Sequence, residues 1–394
     1  MKSLRVFQIL PNSATIPSSR KSRIWKSNMY DPLIYMEHDV FLVDFEYDEF
    51  FVHAENESWL AKNRPFFSSI VERAFVQQHQ KKPFDFAFIY VCDGFLERSV
   101  LDRIRSNGVP IFNFSCNNNH QFHLIRDVSK QVDCSIYTEK CARQSFDAIG
   151  VRSFHMPMAA NPKLYKPLEL PLSLEVTFVG QRYADRGELV ARLVREGIPI
   201  RIYGPKWQQM EEQIGTYRTK DRFGKLFTIA KQHGLGHALS FLVRLPASYL
   251  RTRRENKILK DHVGPILEDE EMIRVFNQSR INLGFGAVFD AGREGGEKKY
   301  HVRLRDFEVP MCGAFYLPFY IEELEEYFVI GKELDCYRNE EDLLDKVRYY
   351  LKNDAARERI RWSGYHRSIQ SHTWEKRFEK LFDSGVFSSL VGTN

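Results

Sequence analysis

LEVTFVGQRYADRGELVARLVREGIPIRIYG, residues 174–204, is the stretch that decides the fold. An apolar run over 174–180 ends on a glycine, helix-type spacing follows over 187–197, and a second apolar run over 198–204 ends on another glycine. Short apolar runs bounded by turn residues read as buried strands, and two of them joined by a helix form a parallel pair. The same rhythm continues downstream in SRINLGFG (279–286), GAFYL (313–317), a charged helix over 340–352, and helices over 354–370 and 373–383. Upstream, LRVFQIL (4–10), DVFLVDF (39–45), FDFAFIYV (84–91), VPIFNFS (109–115) and CSIYT (134–138) alternate with helical spacing over 57–80 and 94–107. Between the two series lies PMAANPKLYKPLELPLS (157–173), whose four prolines and lack of a periodic face mark a connection.

The expected fold class is therefore α/β, with two Rossmann-like domains facing a central cleft. Their expected bounds are 1–168 and 169–394, with an insertion at about 210–262. Ligands of such sheets sit beyond the carboxyl ends of the strands, so the cleft is where chemistry is expected. A chain of 394 residues, 43% hydrophobic and 28% charged, fills two or three cores and excludes disorder and fibres. No apolar run reaches the roughly 18–20 residues of a membrane span, and the N-terminal run is short for a signal peptide, so a cytoplasmic protein is expected. Six scattered cysteines without a CxxC pair indicate neither a zinc site nor a disulfide framework.

Charge is local. Residues 216–262 hold eleven Lys and Arg against three acids, whereas the remainder holds 46 against 49. Within this segment FGKLFTIAKQHGLGHALSFLVRL spaces Phe223, Leu226, Phe227 and Ala230 on one helical face. Three readings follow, in this order: an amphipathic helix packed on its own domain with a solvated basic rim, a helix on an anionic membrane surface, and a nucleic-acid contact. No nucleic-acid partner is expected.

Two stretches carry chemistry. In TFVGQRYADRGEL (177–189), a strand ends at Gly180 and feeds a helix whose unpaired N–H groups suit an anion, with Arg182 and Arg186 on the turn. Two guanidinium forks at such a point suit a diphosphate, although exposed loop arginines would read the same way. The spacing is neither GxGxxG nor a P-loop, which excludes the usual dinucleotide oxidoreductases and P-loop kinases. In RLRDFEVPMCGAFYL (303–317), a very short helix starts near Asp306. Glu308 on its first turn can accept both hydroxyls of a ribose, and Arg305 can reach the phosphates of the same ligand. A carboxylate favouring the helix dipole is the plainer account of Glu308.

These stretches, taken in order with SRINLGFG, the tail HTWEKRFEKLF (372–382) and the linker phrase MAANPKLYKP (158–167), resemble the CgeB-like glycosyltransferases, a branch of the GT-B superfamily near the group-1 sugar transferases. The resemblance covers 174–206 and 270–383. It implies a two-domain transferase whose second domain grips a nucleoside-diphosphate-sugar while the first presents the acceptor, with the C-terminal helix packing back toward the first domain. By position it places Glu308 on the ribose, Arg182 and Arg186 on the diphosphate, and Tyr203 with Gly204 near the base. It also places Asn282 and Gly284 on the strand before the loop AGREGG (291–296), which closes near the sugar. Related retaining enzymes carry a second acid eight positions before the glutamate; here Tyr300 stands there, with Glu294 and Glu297 out of register, so the stereochemical outcome does not carry over.

As a glycosyl bond to a diphosphate breaks, negative charge grows on the leaving phosphate and needs a cation already in place. No DxD motif is present, and EDE at 268–270 follows no strand. The expected enzyme is metal-independent, without a cofactor beyond its nucleotide-sugar, and uses arginines, Arg305 among them, with a helix N-terminus. The expected acceptor is a glycan, a lipid-linked intermediate or a protein. Asp93 and His120, each just past a strand, are the candidates for deprotonating it, and each reads equally as a loop or cap residue. A non-catalytic scaffold that keeps the fold and docks on an anionic membrane or polymer is the alternative, and docking through 216–262 would make the protein peripheral at the inner face of the membrane.

Overall fold

The computed structural model describes residues 3–11, 24–207, 250–289 and 298–392. The helix expected from Phe223 to Ala230, the glycine-rich loop 291–296, Glu294 and Glu297 lie outside the described residues.

Two parallel sheets form the frame. The first is ordered β2-β1-β3-β4-β5-β6, with β1 at Arg5–Ile9, β2 at Asp39–Leu42, β3 at Phe86–Ile89, β4 at Ile111–Ser115, β5 at Cys134–Tyr137 and β6 at Ser153–His155. The second is ordered β12-β9-β7-β8, with β7 at Leu174–Val179, β8 at Ile200–Tyr203, β9 at Ser279–Gly284 and β12 at Tyr316–Pro318. Read from its first strand, each sheet has its second strand on one side and its third and fourth on the other. Each therefore changes winding direction beside its first strand, where open α/β sheets leave a crevice. The central strands are covered on both faces: every residue of β3 and β4 is buried, as such parallel strands require.

Boundaries departed from expectation where backbone geometry intervened. The helix expected over 94–107 begins at Arg98, after Gly94 at φ +73°. The strand expected over 313–317 is Tyr316–Pro318, since Gly313, at φ +61°, follows the helix Arg305–Met311. A hairpin of β10, Ala287–Phe289, and β11, Lys298–Tyr300, had no expectation, nor had β6 and a last helix, Gly385–Val391.

The C-terminal helix returns to the first sheet. Thr373 caps Trp374–Phe382 through the N–H of Lys376 at 3.2 Å and bridges to Ala160. Along that helix Phe378 packs edge-on against Phe88 at 5.5 Å, and Phe382 against Phe86 at 6.0 Å. Buried Arg377 donates to the carbonyls of Pro157 and Met158, both at 3.0 Å, pinning the proline-rich connection to the tail. Side chains from both sheets and the tail share one apolar core. His155, at the end of β6, lies 3.6 Å from Glu323.

Candidate functional site

The loops at the carboxyl ends of both sheets enclose a cleft of about 1060 Å³. Its first-domain wall includes Cys116, Asn117, His120 and Glu139, and its second-domain wall includes Arg182, Lys206, His301, Arg303, Arg305 and Glu308. Among the described residues four non-glycine residues have positive φ, and three of them, Asn117 (60°), Ala184 (53°) and Lys206 (66°), line this cleft. Each lies just past a strand, β4, β7 or β8, so backbone held in the left-handed region gathers where ligands of such sheets bind.

Arg305 and Glu308 sit together on the helix Arg305–Met311, one turn apart, with Nη1 to Oε2 at 2.6 Å. Glu308 is 1% exposed and also hydrogen-bonds the buried Tyr165 hydroxyl. Arg305 lies over Phe276 at 4.9 Å and donates to Met272 Sδ. Burial opposes its charge, but the Glu308 carboxylate prevails and raises its pKa. A buried glutamate paired with an arginine on the same cleft wall offers acceptor oxygens and a cation to one ligand.

Arg182 reaches the cleft wall, but its guanidinium is held by Glu255 Oε2 and Asn256 Oδ1, both at 2.5 Å. Glu255, counted in the basic segment, thus points inward. Arg186 departs from its expected role: it is 4% exposed, does not line the cleft, and donates to Gln181 O (2.7 Å), Tyr183 Oη (2.6 Å) and Phe285 O (3.2 Å). Burial and the charge of Arg303 push its pKa down to about 9. It braces the crevice between β7 and β9 from beneath. Arg303, not singled out in the sequence, holds the upper level by donating to Tyr183 Oη at 2.7 Å and Ala287 O at 3.1 Å.

The strand-end residues have structural work. Gly180 donates to Tyr203 O (2.8 Å) and accepts from Trp207 Nε1 (2.7 Å). Gly204, at φ +130°, would place a side chain against the Gly180 carbonyl. Tyr203 packs on Gly264, and Gly284 leaves room for the Tyr316 hydroxyl. Asn282 is buried and donates to Phe276 O at 3.1 Å. None of these five is among the residues that line the cleft.

On the first-domain side the two candidates separate. Asp93 is corrected to a loop cap: it accepts from Val128 N (2.6 Å) and Asp127 N (3.1 Å) and is not on the cleft wall. His120 is on that wall, its ring 5.5 Å from His301 of the second domain. Glu139, just past β5, was overlooked although the rule that selected Asp93 selects it too. It is 1% exposed and accepts from Asn117 N (2.9 Å) and Asn118 N (2.7 Å). Burial nevertheless pushes its pKa up to about 7. A carboxyl whose folded pKa is raised stabilises the fold fully below its unfolded value near 4.5, and that contribution is lost as pH rises through about 7. Carboxyl-labelled NMR is expected to show a glutamate titrating near pH 7 that disappears in Glu139→Gln.

Among the described residues no three His, Cys, Asp or Glu side chains group as a metal site, and no helix is long and apolar enough to cross a membrane.

A family model described as glycosyl transferase-like matches residues 186–383. Among solved structures, the chain is similar to a glycosyltransferase from Rickettsia africae, at TM-score 0.60 and 10% identity over 100% of each chain. It is also similar to sucrose-phosphate synthase from Thermosynechococcus elongatus, at TM-score 0.58 and 11% identity over 96% of this chain and 97% of that one. A third is Anabaena HepE in complex with UDP and glucose, at TM-score 0.55 and 10% identity over 96% and 98%. At these identities the likeness is one of fold, and that fold is GT-B. No curated protein matches.

Proposed function

The chain belongs to the glycosyl transferase-like family, and from that premise we propose that this GT-B glycosyltransferase moves a sugar from a nucleoside-diphosphate donor to an acceptor hydroxyl without a metal ion. The order of its motifs favours the CgeB-like branch. The observation that carries the reading is the Arg305–Glu308 pair on the second-domain wall of a cleft shared by both sheets. Glu308 holds the ribose hydroxyls, and Arg305 faces the diphosphate. The acceptor oxygen attacks the anomeric carbon as the bond to the β-phosphate oxygen breaks. The electron pair leaves with the phosphate, where a preorganised cation lowers the barrier. His120 is the proposed recipient of the acceptor's proton. The acceptor class follows the expectation above: a glycan, a lipid-linked intermediate or a protein.

A thermal-shift screen of UDP-, GDP-, dTDP- and CDP-sugars tests the donor assignment. One of them at 100 times its Kd is expected to add about 2.7 kcal/mol to stability, and Glu308→Gln is expected to abolish the shift. No shift with any of the four would defeat the reading.

A further inference from the structure

The second-domain wall has a direction. At one end Glu308 meets Tyr165 and Arg305; seven residues earlier in the chain, His301 meets His120 of the first domain, with rings 26° from parallel and 5.5 Å apart. Two hydrogen bonds fix that meeting point: Lys299 Nζ donates to Asn119 O at 3.1 Å, and Asn119 Nδ2 to Tyr300 O at 3.3 Å. With the nucleoside at Glu308, the far end of an extended donor lies where the two domains meet. Sugar transfer has to happen there, because the acceptor comes from the other wall.

His301 is 4% exposed yet lines the cleft, and its Nδ1 has no hydrogen-bond partner among the described residues. Leaving a buried ring nitrogen unpaired is unfavourable, and a ligand group would relieve it. The groups facing the imidazole are Arg303, His120 and Arg186, and with burial they hold it uncharged well below the ordinary histidine range. A neutral imidazole donates at one nitrogen and accepts at the other, which matches a sugar hydroxyl rather than a phosphate. Its neighbour Tyr300 turns away, stacking on Phe319 at 4.6 Å, and does not line the cleft.

We propose that His301 hydrogen-bonds the transferred sugar, so that it recognises the glycosyl part of the donor and not the nucleotide. The assignment rests on the nucleotide-sugar reading above. Calorimetry on the full chain with UDP and UDP-glucose, GDP and GDP-mannose, dTDP and dTDP-glucose, and CDP and CDP-glucose tests it. For the pair that wild type binds, His301→Ala is expected to weaken the nucleotide-sugar about tenfold and leave the free diphosphate unchanged, with His301→Asn recovering part of the loss. In wild type, ¹⁵N-imidazole NMR is expected to shift one neutral histidine on adding the nucleotide-sugar but not the diphosphate, a readout that survives if the variants fail to fold. Equal weakening of both ligands, or no such histidine shift, overturns the role of His301 alone; no binding of any pair to wild type overturns the donor reading together with it.

Discussion

Arg305→Ala is expected to slow sugar transfer about 10²- to 10³-fold, the scale of about 2.7–4 kcal/mol for removing one preorganised donor from a developing anion. Arg305 suits this task because Glu308 keeps it charged and oriented, and because its side chain, 24% exposed, is on the cleft wall. Removing it also strands the Glu308 carboxylate in a buried place, at about 3–5 kcal/mol of stability. Loss of rate in the single variant therefore mixes chemistry with folding. The double variant Arg305→Ala with Glu308→Gln, compared with Glu308→Gln alone, separates them: it has no stranded charge, so its thermal midpoint is expected to recover while its rate stays below that of Glu308→Gln. Arg305→Lys keeps the charge but loses the planar fork, and an intermediate rate is expected. Single-turnover kinetics on the donor found by the screen make the comparison, and a double variant that folds and turns over like wild type would remove Arg305 from the mechanism.

The strands were legible because covered parallel strands are written as largely apolar runs, unbroken in FAFI of β3 and interrupted in IFNFS of β4 only by the buried Asn113 and Ser115. Their full order in each sheet was not, since nothing local tells β7 that its second partner is β9, about a hundred residues on. The same limit explains the site. Arg305 and Glu308 are one helical turn apart, so sequence spacing alone brings them together. Arg186 was expected at the diphosphate because the strand-end rule gives a position but no direction. Its guanidinium turned inward to a carbonyl 99 residues away, on Phe285. Asp93 and Glu139 each follow a strand and each accepts loop N–H groups, at 127–128 and at 117–118, and only Glu139 lies on the cleft wall. His301 carried no spacing signal at all, because its meaning comes from facing His120 across two domains.

The largest stability loss is expected from Trp374→Ala, about 3–5 kcal/mol, the usual range for emptying a fully buried aromatic site. Trp374 is 0% exposed and lies 6.2 Å from Phe114 of β4, at the start of the helix that carries Phe378 and Phe382 onto the first sheet. Its ring thus sits where the tail of the chain joins a strand that ends at the acceptor wall. A cavity there loosens the hold of the tail on the first sheet, and with it the walls of the cleft. Hydrogen exchange is expected to speed up over 372–391 and over β4 together, and the urea midpoint to fall at an unchanged slope. Val52→Ala, at a side chain 66% exposed, serves as the comparison and is expected to stay within about 0.5 kcal/mol of wild type. If exchange in Trp374→Ala rises in the tail while β4 stays protected, the tail is an appendage and not the tie between the two domains.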